Sequence, residues 1–65
     1  MIVRLSERFY NSTNKMFYEI RVQYLSNGFK SYEIYYKYQS DRDWNYEITL
    51  NSHLKAIRYI KQKGV

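Results

Sequence analysis

The segment Met16–Tyr38, MFYEIRVQYLSNGFKSYEIYYKY, alternates bulky and polar residues on both sides of Ser26-Asn27-Gly28, and few folds accommodate that pattern. Met16, Tyr18, Ile20, Val22 and Tyr24 take the even positions, while Glu19, Arg21 and Gln23 take the odd ones. A period of two marks a half-buried strand. The return limb repeats it, with Tyr32, Ile34, Tyr36 and Tyr38 even and Ser31, Glu33 and Lys37 odd; Phe29 and Tyr35 break the polar face.

Parity selects the turn. Opposed residues of an antiparallel pair share a face, and a slip of one residue exchanges the faces. A two-residue Asn27-Gly28 loop sets Val22 against Glu33 and fails. A three-residue loop, Ser26-Asn27-Gly28, opposes Val22 to Tyr32, Ile20 to Ile34, Tyr18 to Tyr36 and Arg21 to Glu33, which suits both faces. Its last position needs a positive φ, and Gly28 adopts one without a Cβ clash. A longer loop that opposes Val22 to Ile34 also keeps parity and is the competing arrangement.

Two further strands and a helix follow from the flanks. Trp44–Leu50, WNYEITL, alternates strictly. Paired across the Gln39–Asp43 loop, it sets Tyr38 against Trp44, Tyr36 against Tyr46, Ile34 against Ile48 and Tyr32 against Leu50. Ahead of the hairpin, residues 2–10 are β-prone, with Val3, Leu5 and Phe9 on one parity, Glu7 interrupting, and Arg4, Ser6 and Arg8 on the other. Asn11–Lys15 clusters turn formers. The even face then spans several strands and requires a cover. Asn51 or Ser52 caps a helix in which Leu54, Ile57 and Ile60 recur at helical spacing, flanked by His53 and Ala56. Gly64 suits C′, and Lys61 and Lys63 complement the negative end of the helix dipole. Lys55, Arg58, Tyr59, Gln62 and Lys63 face away from the sheet on a helical wheel.

The expected fold is therefore α+β: a small antiparallel sheet of three to four strands (2–8, 16–25, 29–38, 44–50) with one C-terminal helix (52–63) packed on one face, residues 1–65 forming a single compact domain. A core drawn from 65 residues only just offsets the ordering entropy of the chain, and nine Tyr, three Phe and one Trp are its means of doing so. There is no Cys, which excludes disulfides and thiolate metal sites. No apolar run of spanning length or signal-peptide core follows Met1, so the expectation is a cytoplasmic protein with no membrane association.

The net charge of +5 is unevenly placed. Residues 1–15 carry Arg4, Arg8 and Lys15 against Glu7; residues 16–51 carry four basic and five acidic side chains; residues 52–65 carry Lys55, Arg58, Lys61 and Lys63 with no acid. Basic character belongs to the chain ends. The bland reading is a solvated surface. The functional reading is a nucleic-acid-binding accessory or regulatory protein, with DNA favoured over RNA, in which Lys55, Arg58, Tyr59, Gln62 and Lys63 on the helix, helped by Arg4 and Arg8, contact phosphates. The odd sheet face offers Phe17, Phe29 and Tyr35 beside Arg21 and Lys37 for base stacking, opposed by Glu19, Glu33 and Glu47, which repel phosphate.

The strands followed by NSHLKAIRYIKQKG resemble in outline the arm-binding domains of tyrosine recombinases and AP2-type domains; that resemblance implies duplex DNA bound through the sheet. NKMFYEI is similar to the opening of WGR domains, without the Trp-Gly-Arg sequence. The rival reading is a small protein-binding module or inhibitor acting on a host protein through Phe17, Arg21, Phe29, Glu33 and Tyr35 or a sheet edge. A composition rich in Asn, Lys, Tyr and Ile fits an AT-rich genome, and hence a phage or mobile element. A homodimer is compatible with the exposed edges.

No enzyme motif is present, and no cofactor is expected. His53 stands next to the apolar stripe of the helix, where a packed or capping-region imidazole is commoner than a base. Asp41 and Asp43 bracket Arg42 in a loop without a further acidic ligand at a recognised spacing. A metal-independent ribonuclease built from Tyr, Arg, Lys and His is the third reading.

Overall fold

The computed structural model of the protein describes residues 6–63. Four strands, β1 (Ser6–Asn11), β2 (Met16–Tyr24), β3 (Lys30–Tyr38) and β4 (Asn45–Leu50), form an antiparallel meander in the order β1-β2-β3-β4, followed by one helix, α1 (His53–Gln62). The Cα extents of 37 × 25 × 14 Å leave room for one helix layer on one sheet layer. One sheet face is covered and the other is open.

The central hairpin has the parity-selected register: Val22 opposes Tyr32, Ile20 opposes Ile34, Tyr18 opposes Tyr36 and Arg21 opposes Glu33. Gly28 takes φ 85°, and Leu25 and Phe29 close the three-residue loop. Tyr18, Ile20, Ile34, Ala56 and Ile60 form the buried core, with Phe9, Met16, Tyr32, Tyr36, Ile48, Leu50, Ile57 and Tyr59 packed around it.

The first strand lies later than the pattern suggested. β1 runs from Ser6 to Asn11, beyond the expected end at residue 8, and residues 2–5 lie outside the described residues. Asparagines make the β1–β2 turn. Asn11 Oδ1 accepts from the Thr13 and Asn14 amides, Asn14 Oδ1 accepts from the Met16 amide, and Lys15 takes a positive φ of 59°. Phe9 opposes Tyr18 on the covered face, and Glu7 opposes Ile20. Glu7 breaks the apolar pattern because it meets the start of the helix, its Oε2 lying 3.2 Å from His53 Nε2.

The larger correction concerns β4. Leu50 and Ile48 pair with Tyr32 and Ile34 as expected, but the next pairs are Tyr35 with Tyr46 and Tyr36 with Asn45. Glu47 is the extra residue of a β-bulge, and a bulge exchanges the faces of everything beyond it. Tyr46 and Trp44 therefore leave the covered face, and neither the Tyr36–Tyr46 nor the Tyr38–Trp44 pair forms. Glu47, expected on the open face, turns to the helix side and reaches Lys63 at 3.7 Å.

The physical reason is the size of the lid. A ten-residue helix is about 15 Å long and cannot roof the far ends of β3 and β4 as well as Ile20 and Ile34. Tyr46 instead packs edge-on against Tyr35, with ring centroids 5.7 Å apart. A double-mutant cycle between Tyr35 and Tyr46, read by chemical denaturation, is expected to give a coupling of about 0.5–1.5 kcal/mol. Coupling of Tyr46 to Tyr36 instead would restore the unbroken register.

The helix begins as expected, with Ser52 Oγ accepting from the Lys55 amide, whereas Gly64 lies outside the described residues. Its inward face is rotated from the expected one. Ala56 and Ile60 are buried, Ile57 and Tyr59 pack beside them, and Leu54 is 58% exposed. Small Ala56 lets the helix backbone approach the sheet, which places the stripe on Ala56, Ile57, Tyr59 and Ile60 and turns Leu54 out.

Candidate nucleic-acid interface: the open sheet face

Register arranges the open face in rows that run across the strands. In the first row Tyr10, Phe17 and Lys37 stand side by side, and the Lys37 ammonium lies 5.2 Å from the Trp44 ring centroid. The second row is Arg8, Glu19, Tyr35 and Tyr46; the third is Ser6, Arg21, Glu33 and Thr49. Neighbouring strands are about 4.8 Å apart, so the two four-residue rows each cross roughly 14 Å of sheet.

Aromatic rings dominate the first two rows. Tyr10 and Phe17 are tilted against each other at 4.8 Å, and Tyr46 donates to or accepts from Thr49 Oγ1 at 2.6 Å. Half-buried Trp44 is flanked by two cations, Lys37 and the Arg8 guanidinium at 5.7 Å. Between these groups runs a groove of about 400 Å³ with Arg8, Tyr10, Phe17, Lys37 and Trp44 in its walls.

Glu19 sits at the centre of the face and is 4% exposed. Its Oε2 accepts from Arg8 Nε at 2.8 Å, and its Oε1 accepts from Arg21 Nε. Burial pushes the Glu19 carboxyl up, but the hydrogen bonds and charges of Arg21 and Arg8 outweigh it and hold the group below the ordinary carboxylate range. Arg21 also lies 3.9 Å over the Tyr35 ring. Both arginines are thus oriented while their remaining donors stay available, since a guanidinium has five N–H groups.

The two sets of expected site residues are redistributed by the fold. Lys55, Arg58 and Gln62 are exposed on the outer side of α1. Tyr59, expected to face outward, is packed against the core instead. Lys63 is drawn back over the Tyr59 ring at 5.0 Å; Tyr59 first, and Glu47 after it, hold its ammonium above the ordinary range. Arg4 lies outside the described residues. Arg8 does not join the helix set but belongs to the open face, together with Phe17, Arg21, Glu33 and Tyr35. Phe29, 68% exposed, sits at the hairpin tip away from them.

Sequence reading missed Trp44 and Tyr46 as members of this face, because their parity assigned them to the core. The available signal was the short helix, too small a lid for every even-numbered ring. Among the described residues no cluster of His, Asp and Glu is arranged to hold a metal ion, and no helix is long and apolar enough to cross a membrane.

No protein-family model, curated protein or solved structure matches this chain. The outline shared with arm-binding and AP2-type domains therefore brings no residue roles to it.

Proposed function

We propose that the protein binds nucleic acid, and that it does so through the open face of the sheet rather than through the helix. The observation that carries this reading is the bulge at Glu47. It adds Trp44 and Tyr46 to a face that already holds Tyr10, Phe17 and Tyr35, and it removes one of the three carboxylates that opposed phosphate there. A second carboxylate, Glu19, is covered by two arginines. Stacking platforms interleaved with cations are the general means of holding nucleic acid.

Fluorescence anisotropy with labelled oligonucleotides tests the location. An Arg8→Gln/Lys37→Glu variant that keeps its circular dichroism is expected to lose at least about tenfold in affinity at low salt, because phosphate contacts supply most of the non-specific binding energy. Lys55→Glu/Arg58→Glu is expected to change it by less than about threefold. Loss through the helix variant alone would return the site to α1, unchanged affinity in both would place it on neither surface, and absence of binding by the wild type would end the nucleic-acid reading.

A second reading has its own observation. Tyr24 (45% exposed), Leu25 (43%) and Phe29 (68%) present an apolar tip at the β2–β3 turn. Such a tip fits a protein surface, and nuclease-resistant capture of one stoichiometric protein, lost in Leu25→Ser/Phe29→Ser, is the result that reading expects.

A further inference from the structure

We infer that the open face takes single-stranded nucleic acid in preference to duplex, with the groove beside Trp44 seating a base and Arg8 and Lys37 holding the phosphates on either side. The inference rests on the nucleic-acid reading above and names the form of ligand.

The balance of groups on the face decides between the two forms. Five rings stand there, Tyr10, Phe17, Tyr35, Trp44 and Tyr46, whereas Arg8, Arg21 and Lys37 outnumber Glu19 and Glu33 by one. A duplex shows a protein its phosphates and base edges, and its affinity rises with the number of phosphates neutralised. Three cations partly offset by two acids are few for that purpose. A duplex also keeps its base faces inside its own stack, so the rings would find nothing there to stack on. Unpaired bases offer a π-face each, whatever their identity.

Geometry points the same way. The groove of about 400 Å³ falls in the size range of clefts that take small ligands, and its lining includes Trp44 and the tilted Tyr10–Phe17 pair. Cations stand beside the Trp44 ring at 5.2 and 5.7 Å, where a phosphate following a stacked base would lie. Arg8 is well placed for this, since its side chain is 72% exposed although its Nε is engaged by Glu19.

Trp44 is the one tryptophan of the chain and reports on its own groove. The test titrates the intact protein with oligo-dT, oligo-U and a mixed-sequence hairpin duplex, followed by Trp44 emission and by anisotropy of the labelled strand between about 50 and 200 mM salt. Oligo-dT or oligo-U is expected to quench Trp44 and to bind at least about tenfold more tightly than the duplex. With at most three phosphates engaged, the log–log salt slope on the single strand should be no steeper than about −2. Trp44→Leu should weaken single-strand binding by about 5- to 100-fold in anisotropy, and Tyr10→Ser, at a 56% exposed site, provides a second variant that leaves the core intact. Duplex bound as tightly as single strand, or unchanged affinity in both folded variants, overturns the inference while leaving nucleic-acid binding in place. Binding of neither form overturns both.

Discussion

Ile34→Asp is expected to leave the protein unfolded at room temperature. Ile34 is 0% exposed and stands at the middle of β3, between Ile20 on β2 and Ile48 on β4, in the core completed by Ala56 and Ile60. An aspartate there would stand among the apolar side chains of Ile20, Ile48, Ala56 and Ile60, and an unpaired buried carboxylate costs several kcal/mol. A core of this size supplies only about 3–5 kcal/mol of net stability, so the loss exceeds what is available. The conservative change Ile34→Val should cost about 0.5–1.5 kcal/mol and keep a cooperative transition. Thermal melts followed by circular dichroism, with amide dispersion in a proton spectrum, separate the two. A cooperative melt of the aspartate variant would refute the assignment of the even-numbered face to the core.

Glu19→Gln is the second large effect, and it is pH-dependent. The amide keeps the shape of the side chain but loses the charge that binds Arg8 and Arg21. Hydrogen bonds to charged groups contribute about 1.5–3 kcal/mol, and that is the loss expected at neutral pH. Because the folded-state pKa of Glu19 lies below its ordinary value of 4.5, its contribution is fully present above that value and disappears as pH falls through the folded pKa. Wild-type stability should therefore fall on acidification below about pH 4.5, and the Gln variant should show a correspondingly flatter acid limb. Urea midpoints measured at intervals from neutral to acid pH give both curves. Parallel curves would show that the carboxylate lends the fold nothing.

The two effects live on opposite faces of one sheet. Ile34 holds the covered face to the helix; Glu19 holds the open face in order without covering it. A buried carboxylate that orients two arginines across a solvent-facing surface suits a scaffold whose outward donors must be preset, because side chains already fixed lose less entropy when they engage a ligand.

The hairpin, the existence of β4 and the C-terminal helix were all readable in the chain, and so was the turn. Each rests on interactions between residues near in sequence: parity on a pleated strand, a positive φ that Gly28 accepts, and a serine that caps its own helix. The register of β2 on β3 was readable too, since a slip of one residue would bury Arg21 and Glu33. Reading failed at Leu54, Tyr59, Trp44, Tyr46 and Glu47, and for one shared reason. The position of each depends on how closely and how far the helix lies over the sheet.

Alternation by itself determined which residues of β2 and β3 share a face, and charge placement determined that the helix would be basic on its outer side. Only the tertiary structure decided which face would carry Trp44 and Tyr46. Strict alternation from Trp44 to Leu50 pointed every large ring inward, but a helix about 15 Å long cannot cover them all. The bulge at Glu47 resolves the conflict between strand pattern and lid size. It sends Trp44 and Tyr46 to the open face and Glu47 to Lys63, and what reads as core in the chain becomes surface in the fold.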